Sequence, residues 1–587
     1  MGSVHTDADL PAEVQVLIAG GGPSGLFLAL DLASRGVPST VIEPRTTLDH
    51  TRPRAKTTNA RTMTHLRRLG LADALRDASP LPVEYAQDVV FCTGLTGPAA
   101  HELRRFRNAF QLVPGRYGPQ PECGQQVPQP VLEEVLRTAA ESHPLVTFLP
   151  GWTVTGVSAP EGGAATEPCA VVVMDPEGAE RPIAAQYVIG ADGGSSAVRR
   201  SLGLRLEGGS AELSNISILF RSESLAANIS LDPAVQYWVV GSETSGMVGP
   251  MDRDGTWWAI VQGVDPSVTV TAGEAAAMVR SLGADVDIDV VATDPWTARM
   301  LLAPQYSRGK VFLVGDAAHL NPPWGGHGFN TCIGDAANLA WKLAAAITGW
   351  AGPALLRSYG EERRPVAART IRDAAANGKA LAYHFADPDL IAAGAAGEAA
   401  RRVAHRALAV KQSEFDSLGL VLGYAYGGSP VVVPDGSPLP AEDPIRYVPS
   451  AHPGALLPHA WLADSVSLYS ALGSGFTLLA DAGALGGVPA AEVFGPVLAA
   501  GARQGIPVTV AAVGPSDDGT HLSELWGATA VLVRPDQHVA WRGNSPVEAA
   551  GALAVAAGWG PAFPPARPEE SAPSLETRSA RVDAVLP

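Results

Sequence analysis

Three clusters in this 587-residue chain combine residue types and spacings that could do chemistry. The first is Gly20-x-Gly22-x-x-Gly25, with Ser24 inside it. In such a turn the first glycine permits a tight bend. The second lets backbone N–H groups approach a pyrophosphate, and the third lets a helix pack close on its strand. The start of that helix carries partial positive charge, which favours phosphate. Glu43 follows at the spacing of an acid that accepts hydrogen bonds from a ribose. The second cluster, Val188 to Arg199, ends a strand in Asp192-Gly193. Read alone, that aspartate is equally well an ordinary helix cap. The third runs from Val311 to His319 and on through Asn321 to Asn330. Here an apolar strand delivers Asp316 to a loop, and the loop leads through Pro322, Pro323, Gly325, Gly326 and Gly328 into another helix.

These clusters need elements to hold them. Val14–Ala19 is a short apolar run, Pro23–Arg35 is amphipathic, and Thr40–Ile42 is apolar again. That is strand, turn, helix and strand in about 30 residues, a βαβ unit. Helices are expected over Thr62–Asp77, Pro130–Ala140 and Phe329–Thr348, with Ala-rich helical sequence continuing to about Leu418. Strands are expected over Val146–Val157, Ala170–Val173, Gln186–Gly190 and Val311–Val314. From about Ala211 to Met300 the period changes. Ile216–Phe220, Gln236–Val240 and Thr256–Gln262 read as an antiparallel sheet carrying Trp238, Trp257 and Trp258. Gly427–Pro444 reads as a linker, followed by an α/β region with strands at Phe476–Ala480, Ile506–Val513 and Ala528–Val533. The Pro-rich tail after Phe563 is expected to be an arm.

Composition narrows the partners. The net charge of −17 repels phosphate backbones and anionic lipid, so neither nucleic acid nor a membrane surface is an expected partner. Cys92, Cys123, Cys169 and Cys332 lie far apart without metal spacing, so no metal is expected and a reducing, cytoplasmic setting fits. No basic leader or apolar span of membrane length stands out.

Together the glycine turn, Glu43 and Asp316 point to FAD rather than to a nicotinamide dinucleotide alone. Asp316 can take ribitol hydroxyls, and the helix after the Gly-rich loop can stabilise charge on a reduced flavin ring. Only one βαβ fingerprint is present, so a nicotinamide cofactor is expected to visit rather than reside.

In order and spacing the clusters resemble the fingerprints of the class A flavoprotein monooxygenases. The nearest group is the phenol hydroxylases, with 2,4-dichlorophenol 6-monooxygenase and related polyketide hydroxylases. The resemblance covers nearly the whole chain. Pro53-Arg54-Ala55, Thr58–Met63, Pro128–Glu133, Asp335–Lys342, His452-Pro453-Gly454, Pro458–Leu462 and Val533–Asp536 also match.

The resemblance implies an α/β fold in three parts, like p-hydroxybenzoate hydroxylase. A Rossmann-like FAD domain would take 1–205 and 301–425, an antiparallel substrate domain 206–300, and a thioredoxin-like domain 445–587. That last domain has no cysteine, so packing or oligomer contact is its expected role and a homo-oligomer the expected assembly. The implied reaction hydroxylates a phenol, a hydroxypyridine or a polyketide quinol with NAD(P)H and O2 through a flavin C4a-hydroperoxide. Baeyer–Villiger cleavage, epoxidation and non-catalytic ligand sequestration stay open.

The resemblance places Arg61 and Gln129 on the flavin and gives the Asp192-Gly193 turn to both FAD and NAD(P)H. With Gly20, Gly22, Ser24, Gly25, Glu43, Arg45, Asp316, Pro323, Gly326, Gly328, Phe329 and Asn330 they form the expected FAD set. Arg299 or Arg221 would meet the nicotinamide cofactor. Pro322, Trp238, Met247, Met251, Trp258 and Trp324 are the expected substrate walls, and a dry pocket is what such chemistry needs. Lys56, His327 and Tyr237 are the candidates for activating the phenol. Lys56 departs from the family, whose members often carry histidine there and in one phenol hydroxylase type a catalytic aspartate; a lysine could steer an anionic or phenolate ligand or be a solvated surface residue. A structural role for His319 is favoured.

Overall fold

The computed structural model describes residues 10–560 except 53, 160–166, 242–244 and 382–386. Pro53 and the tail after Phe563 therefore lie outside the described residues.

The first layer is a mixed sheet with a parallel centre. Strand Glu13–Ala19 pairs in parallel with Ser39–Glu43 on one side and with Glu180–Gly190 on the other. Val146–Pro150 extends one edge and Val311–Leu313 the other, both in parallel. The stretches of these strands nearest the clusters are apolar and buried, Val16–Ala19, Val188–Ile189 and Val311–Leu313, and they share one core with the helices packed beside them. Helices Pro23–Ala33 and Gly328–Ile347 pack on one another in the same core as those strands. All three clusters thereby reach the carboxyl ends of adjacent strands, where open α/β sheets hold ligands.

Two expected elements divide. The helix foreseen over Thr62–Asp77 is two, Ala60–Arg68 and Ala72–Ala78, broken at Gly70 with φ of +73°. The strand foreseen over Val146–Val157 turns at Gly151 with φ of +83° and continues as Thr153–Ser158. Positive φ is costly for residues with a Cβ, so each glycine sets its break.

The second layer is an eight-stranded sheet, antiparallel except where Gln236–Val239 meets Val89–Cys92. Its centre is Glu207–Arg221, Thr256–Gln262, Gly246–Pro250 and Gln236–Val239, with the long strand Asp289–Leu302 beside it. Successive side chains in a strand point to opposite faces. One face carries Phe91, Trp238, Met247, Trp258 and Ile260 toward the flavin domain. The opposite face buries Val90, Tyr237, Val248, Trp257 and Ala259 in a separate core.

The C-terminal region is a four-stranded sheet. Its order is Val508–Val513, Phe476–Asp481, Ala530–Val533, Val539–Gly543, with the first pair parallel and the others antiparallel. Helices Gly495–Gln504 and Pro546–Ala556 pack together beside it, giving a thioredoxin-like arrangement. The segment read as a linker is more than a connector. Val431 is fully buried in this core, and Val433 N–H donates to the Ala540 carbonyl at 2.9 Å.

Candidate active site

One cavity of about 1170 Å³ runs from the glycine turn to a chamber under the second sheet. At its first end stand Gly20, Gly22 and Ser24. A Cβ on Gly20 would lie 2.3 Å from the Ala191 carbonyl, while a Cβ on Gly22 would meet nothing within 4 Å. The turn is thus packed from behind and open in front. Gly25 does not line the cavity. A Cβ there would sit 1.9 Å from the Gly20 carbonyl, so Gly25 serves the close approach of helix to strand.

Glu43 ends its strand against the turn. Its Oε2 accepts from Gly21 N–H at 2.6 Å, and its Oε1 accepts from Arg45 N–H at 2.9 Å and Arg45 Nε at 2.7 Å. Arg45 also reaches Glu133 at 3.0 Å, and Gln129 donates to Glu133 at 2.7 Å. Glu43, Arg45 and Gln129 all line the cavity.

Asp192 and Gly193 line it too. Ser196, not Asp192, is the N-cap of helix Ala197–Ser201, but Asp192 Oδ2 accepts from that helix's Ala197 and Val198 N–H at 2.7 and 3.1 Å. Asp192 Oδ1 is buried with no partner among the described residues. Asp316 faces the cavity, and Cys332 Sγ donates to its Oδ1 at 3.5 Å. The protein around the rest of Asp316 raises its carboxyl above the usual range, although His319 nearby opposes this. Pro323, Gly326, Gly328 and Phe329 continue the wall.

Two helices start at this cavity, at Pro23 and at Gly328. Neither has a side-chain cap or an acid in its first turn. Their first-turn N–H groups and positive ends thus meet no capping side chain among the described residues. This arrangement suits a long diphosphate cofactor with an anionic ring.

Several expected assignments change. Tyr237 is displaced by the pleat. With its neighbour Trp238 on the cavity wall, Tyr237 must face the other way. Its hydroxyl donates to the Asp232 carbonyl at 3.3 Å, accepts from Ala234 N–H at 3.0 Å, and is pushed up by burial. Arg61 turns from the cavity to the C-terminal domain, donating to the Asp536 carbonyl at 2.8 Å and to the Gln537 side chain. Asn330 is a brace, accepting from Asn59 N–H at 3.0 Å and donating to the carbonyls of Thr57 and Gly326. Pro322 is buried behind the loop rather than on the wall.

His327 also lies behind the wall. Its Nε2 is buried without a partner among the described residues, beside Gly325, and burial lowers its pKa to about 4. His319 is structural, as favoured. Its Nε2 meets Asp335 at 2.9 Å and its Nδ1 meets Asn321 at 3.0 Å. Burial opposes charge on His319, but Asp335 outweighs it and raises the pKa. Asp335 in turn accepts from Gly315 N–H at 3.3 Å and Arg363 at 2.8 Å, so the relay fixes the turn that carries Asp316.

At the second end Trp238, Met247, Trp258 and Trp324 line the chamber as expected. Met251 lies instead on a small adjoining cleft with Lys56 and Trp258. Lys56 lines both, with its Nζ 4.0 Å from the centroid of the Trp258 ring. Its one hydrogen bond among the described residues is to the Arg54 carbonyl at 3.1 Å, and burial lowers its pKa to about 8. Arg299 lines the cavity and Arg221 does not.

The sequence reading missed Trp296, Ser217 and Glu414, all on the wall. Trp296 Nε1 donates to Ser217 Oγ at 2.8 Å. Ser217 and Leu219 share the alternation of one strand, a signal present in the sequence. Glu414 carried no comparable signal.

The FAD-binding-domain family model matches residues 13–374, and the model for the C-terminal region of aromatic-ring hydroxylases matches 450–560. The chain belongs to the FAD-dependent aromatic-ring hydroxylases. The FAD-dependent monooxygenase apdD of Emericella nidulans is 32% identical over 90% of this chain and 87% of its own length. The 2,4-dichlorophenol 6-monooxygenase of Delftia acidovorans is 30% identical over 90% and 95%. Among solved structures, a ternary complex of aklavinone-11 hydroxylase with FAD and aklavinone superposes with a TM-score of 0.77. It is 28% identical, covering 93% of this chain and 99% of that one. This hydroxylase therefore has the p-hydroxybenzoate hydroxylase type of fold, with FAD as its cofactor and NAD(P)H and O2 as co-substrates. Among the described residues no three His, Cys, Asp or Glu could hold a metal, and no helix is long and apolar enough to cross a membrane.

Proposed function

We propose that this hydroxylase acts on a polycyclic phenol or quinol held in the chamber as its phenolate, with Lys56 as the group that stabilises the anion. The observation that carries this reading is the Lys56 ammonium itself. It stands on the chamber wall against an indole face, with no carboxylate bonded to it among the described residues. A half-buried cation with no counter-ion among the described residues favours an anionic ligand beside it. The chamber supplies the matching shape, since four tryptophans and a methionine can sandwich fused rings.

The cofactor-holding residues are part of the same proposal. Gly20, Gly22 and Ser24 would take the pyrophosphate, Glu43 the adenosine ribose, with Arg45 and Gln129 beside it. Asp192 Oδ1 and Asp316 would take remaining hydroxyls, and the backbone from Pro323 to Phe329 would meet the ring. When bound, FAD passes electrons from NAD(P)H to O2 and supplies an electrophilic oxygen atom. The chain's own part is to orient the phenolate, keep water from the chamber and hold the negative charge at Lys56 Nζ. The phenolate form matters because it is the electron-rich one, and charge near it in a dry site acts more strongly than in water. Tyr237 and His327 have no part in this, since neither reaches the wall. Arg299 is the better placed arginine for NAD(P)H.

The test is substrate-stimulated NAD(P)H oxidation with mass analysis across naphthols and hydroxyanthraquinones. Products heavier by one oxygen are expected, at a ratio to NAD(P)H near one. Lys56→Met should shift the pH dependence of kcat/KM upward and lower coupling, while Lys56→Arg retains part of both. Unchanged coupling in Lys56→Met refutes the assignment of Lys56. The −17 net charge and four separate cysteines support a cytoplasmic protein without nucleic-acid or membrane partners. The cysteine-free C-terminal domain is the surface we assign to a homo-oligomer, which light scattering tests.

A further inference from the structure

A second charged group reaches the chamber from the helical region. Lys411 and Glu414 form an ion pair with side chains 0% and 2% exposed, and Glu414 is part of the chamber wall. Lys411 Nζ also donates to the Asn377 carbonyl at 2.9 Å and lies 5.1 Å from the centre of the Trp238 indole. Glu414 Oε2 touches Lys411, yet no donor is aligned on it as a hydrogen bond.

The contrast with Glu362 is informative. Glu362 is equally buried, and its two oxygens accept from Ser429, Asn338, Lys342 and both Nη atoms of Arg534 at 2.6 to 2.8 Å. That carboxylate is saturated by protein, as a structural ion pair should be. Among the described residues the Glu414 carboxylate has one ion pair and no hydrogen bond, and Glu414 lines the cavity. A buried carboxylate with spare acceptor capacity is costly unless something completes it. The feature that can complete it is a ligand edge carrying O–H or N–H.

We propose that Glu414, with its charge balanced by Lys411, is a specificity-determining acceptor for a hydrogen-bond donor on the edge of the substrate away from Lys56. This rests on the hydroxylation reading above and sharpens it. The preferred substrate carries an anionic oxygen toward Lys56 and a hydroxyl or ring N–H toward Glu414. A simple monohydric phenol leaves Glu414 unmet.

The test compares 1,5-dihydroxynaphthalene with its monomethyl ether on the FAD-loaded enzyme. Binding is read from the flavin absorbance change and turnover from hydroxylated product per NAD(P)H. The wild type is expected to favour the diol in KM by tenfold or more. In Lys411→Met/Glu414→Met, which removes the pair without orphaning a charge, that ratio should fall below threefold. Should the double variant fail to fold, Glu414→Leu is read by ligand binding alone, with the same threshold. A ratio unchanged in the variants, or a wild type that binds both naphthols equally, overturns the inference. If no phenol of any kind yields a hydroxylated product, the hydroxylation reading fails instead.

Discussion

Glu362→Gln tests how the C-terminal domain is joined to the flavin domain. The Glu362 carboxylate comes from helix Ser358–Leu381 and accepts a bidentate pair from Arg534 at 2.7 and 2.8 Å. Arg534 is also paired with Asp536 at 2.6 Å, and Lys342 reaches Glu362 at 2.7 Å. All four side chains are essentially closed to solvent. Burial alone would raise the Glu362 carboxyl, but Arg534 and Lys342 outweigh it and hold it far below the usual range. The glutamine keeps the shape and removes the charge, leaving Lys342 and Arg534 to share Asp536. Breaking a buried pair by removing one partner costs about 3–5 kcal/mol. With a urea slope of about 3 kcal/mol/M, at the upper end for small proteins, the midpoint should fall by more than about 1 M. Flavin release and tryptophan emission should report the loss together if the domains unfold as one. The pH sign follows from linkage. A carboxyl depressed in the fold stabilises above its unfolded pKa of about 4.3 and loses that contribution as pH falls below it. Wild type should therefore weaken below about pH 4 more steeply than Glu362→Gln does. A midpoint within about 0.3 M of wild type, or identical acid limbs, refutes the account.

Other outcomes follow from single contacts. Gly25→Ala places a methyl 1.9 Å from the Gly20 carbonyl, so the purified variant should be colourless or aggregated, and normal FAD content would contradict the packing. Arg61→Met should lower the urea midpoint, through loss of its bonds to Asp536 and Gln537, while FAD affinity moves less than about threefold. Tyr237→Phe should cost about 1 kcal/mol of stability and leave the pH profile of kcat/KM in place, since the hydroxyl serves its own loop. His327, His459 and His538 are lowered to about 4 by burial. Between their unfolded value near 6.5 and pH 4 the unfolded chain holds the extra protons, so stability should drop as pH falls through that window. Urea midpoints that stay flat from pH 7 to 4.5 would contradict it.

The difference between what the sequence shows and what it hides is physical. The glycine turn, Glu43 and Asp316 act through local geometry, so strand, turn and helix residues within one stretch declare them. The sheet face was equally legible. Trp238 on the wall forces Tyr237 off it, and the pleat alone would have removed Tyr237 from the candidates. Arg61 and Glu414 belong to another kind. Arg61 meets Asp536 and Gln537 across more than 470 positions, and no period within its helix says which way a buried arginine turns. Glu414 sits in the four-residue helix Gln412–Phe415, amid sequence whose pattern marks only helix. Its partner Lys411 is three residues away, a spacing that on most helices means a solvated surface pair. Only burial distinguishes it, and burial is set by the sheet lying across from it. The chamber thus takes its aromatic wall from strands whose alternation announces it, and its polar ends from residues whose meaning depends on what the fold places opposite. For this enzyme the cofactor is written locally, and the substrate is written in contacts between distant segments.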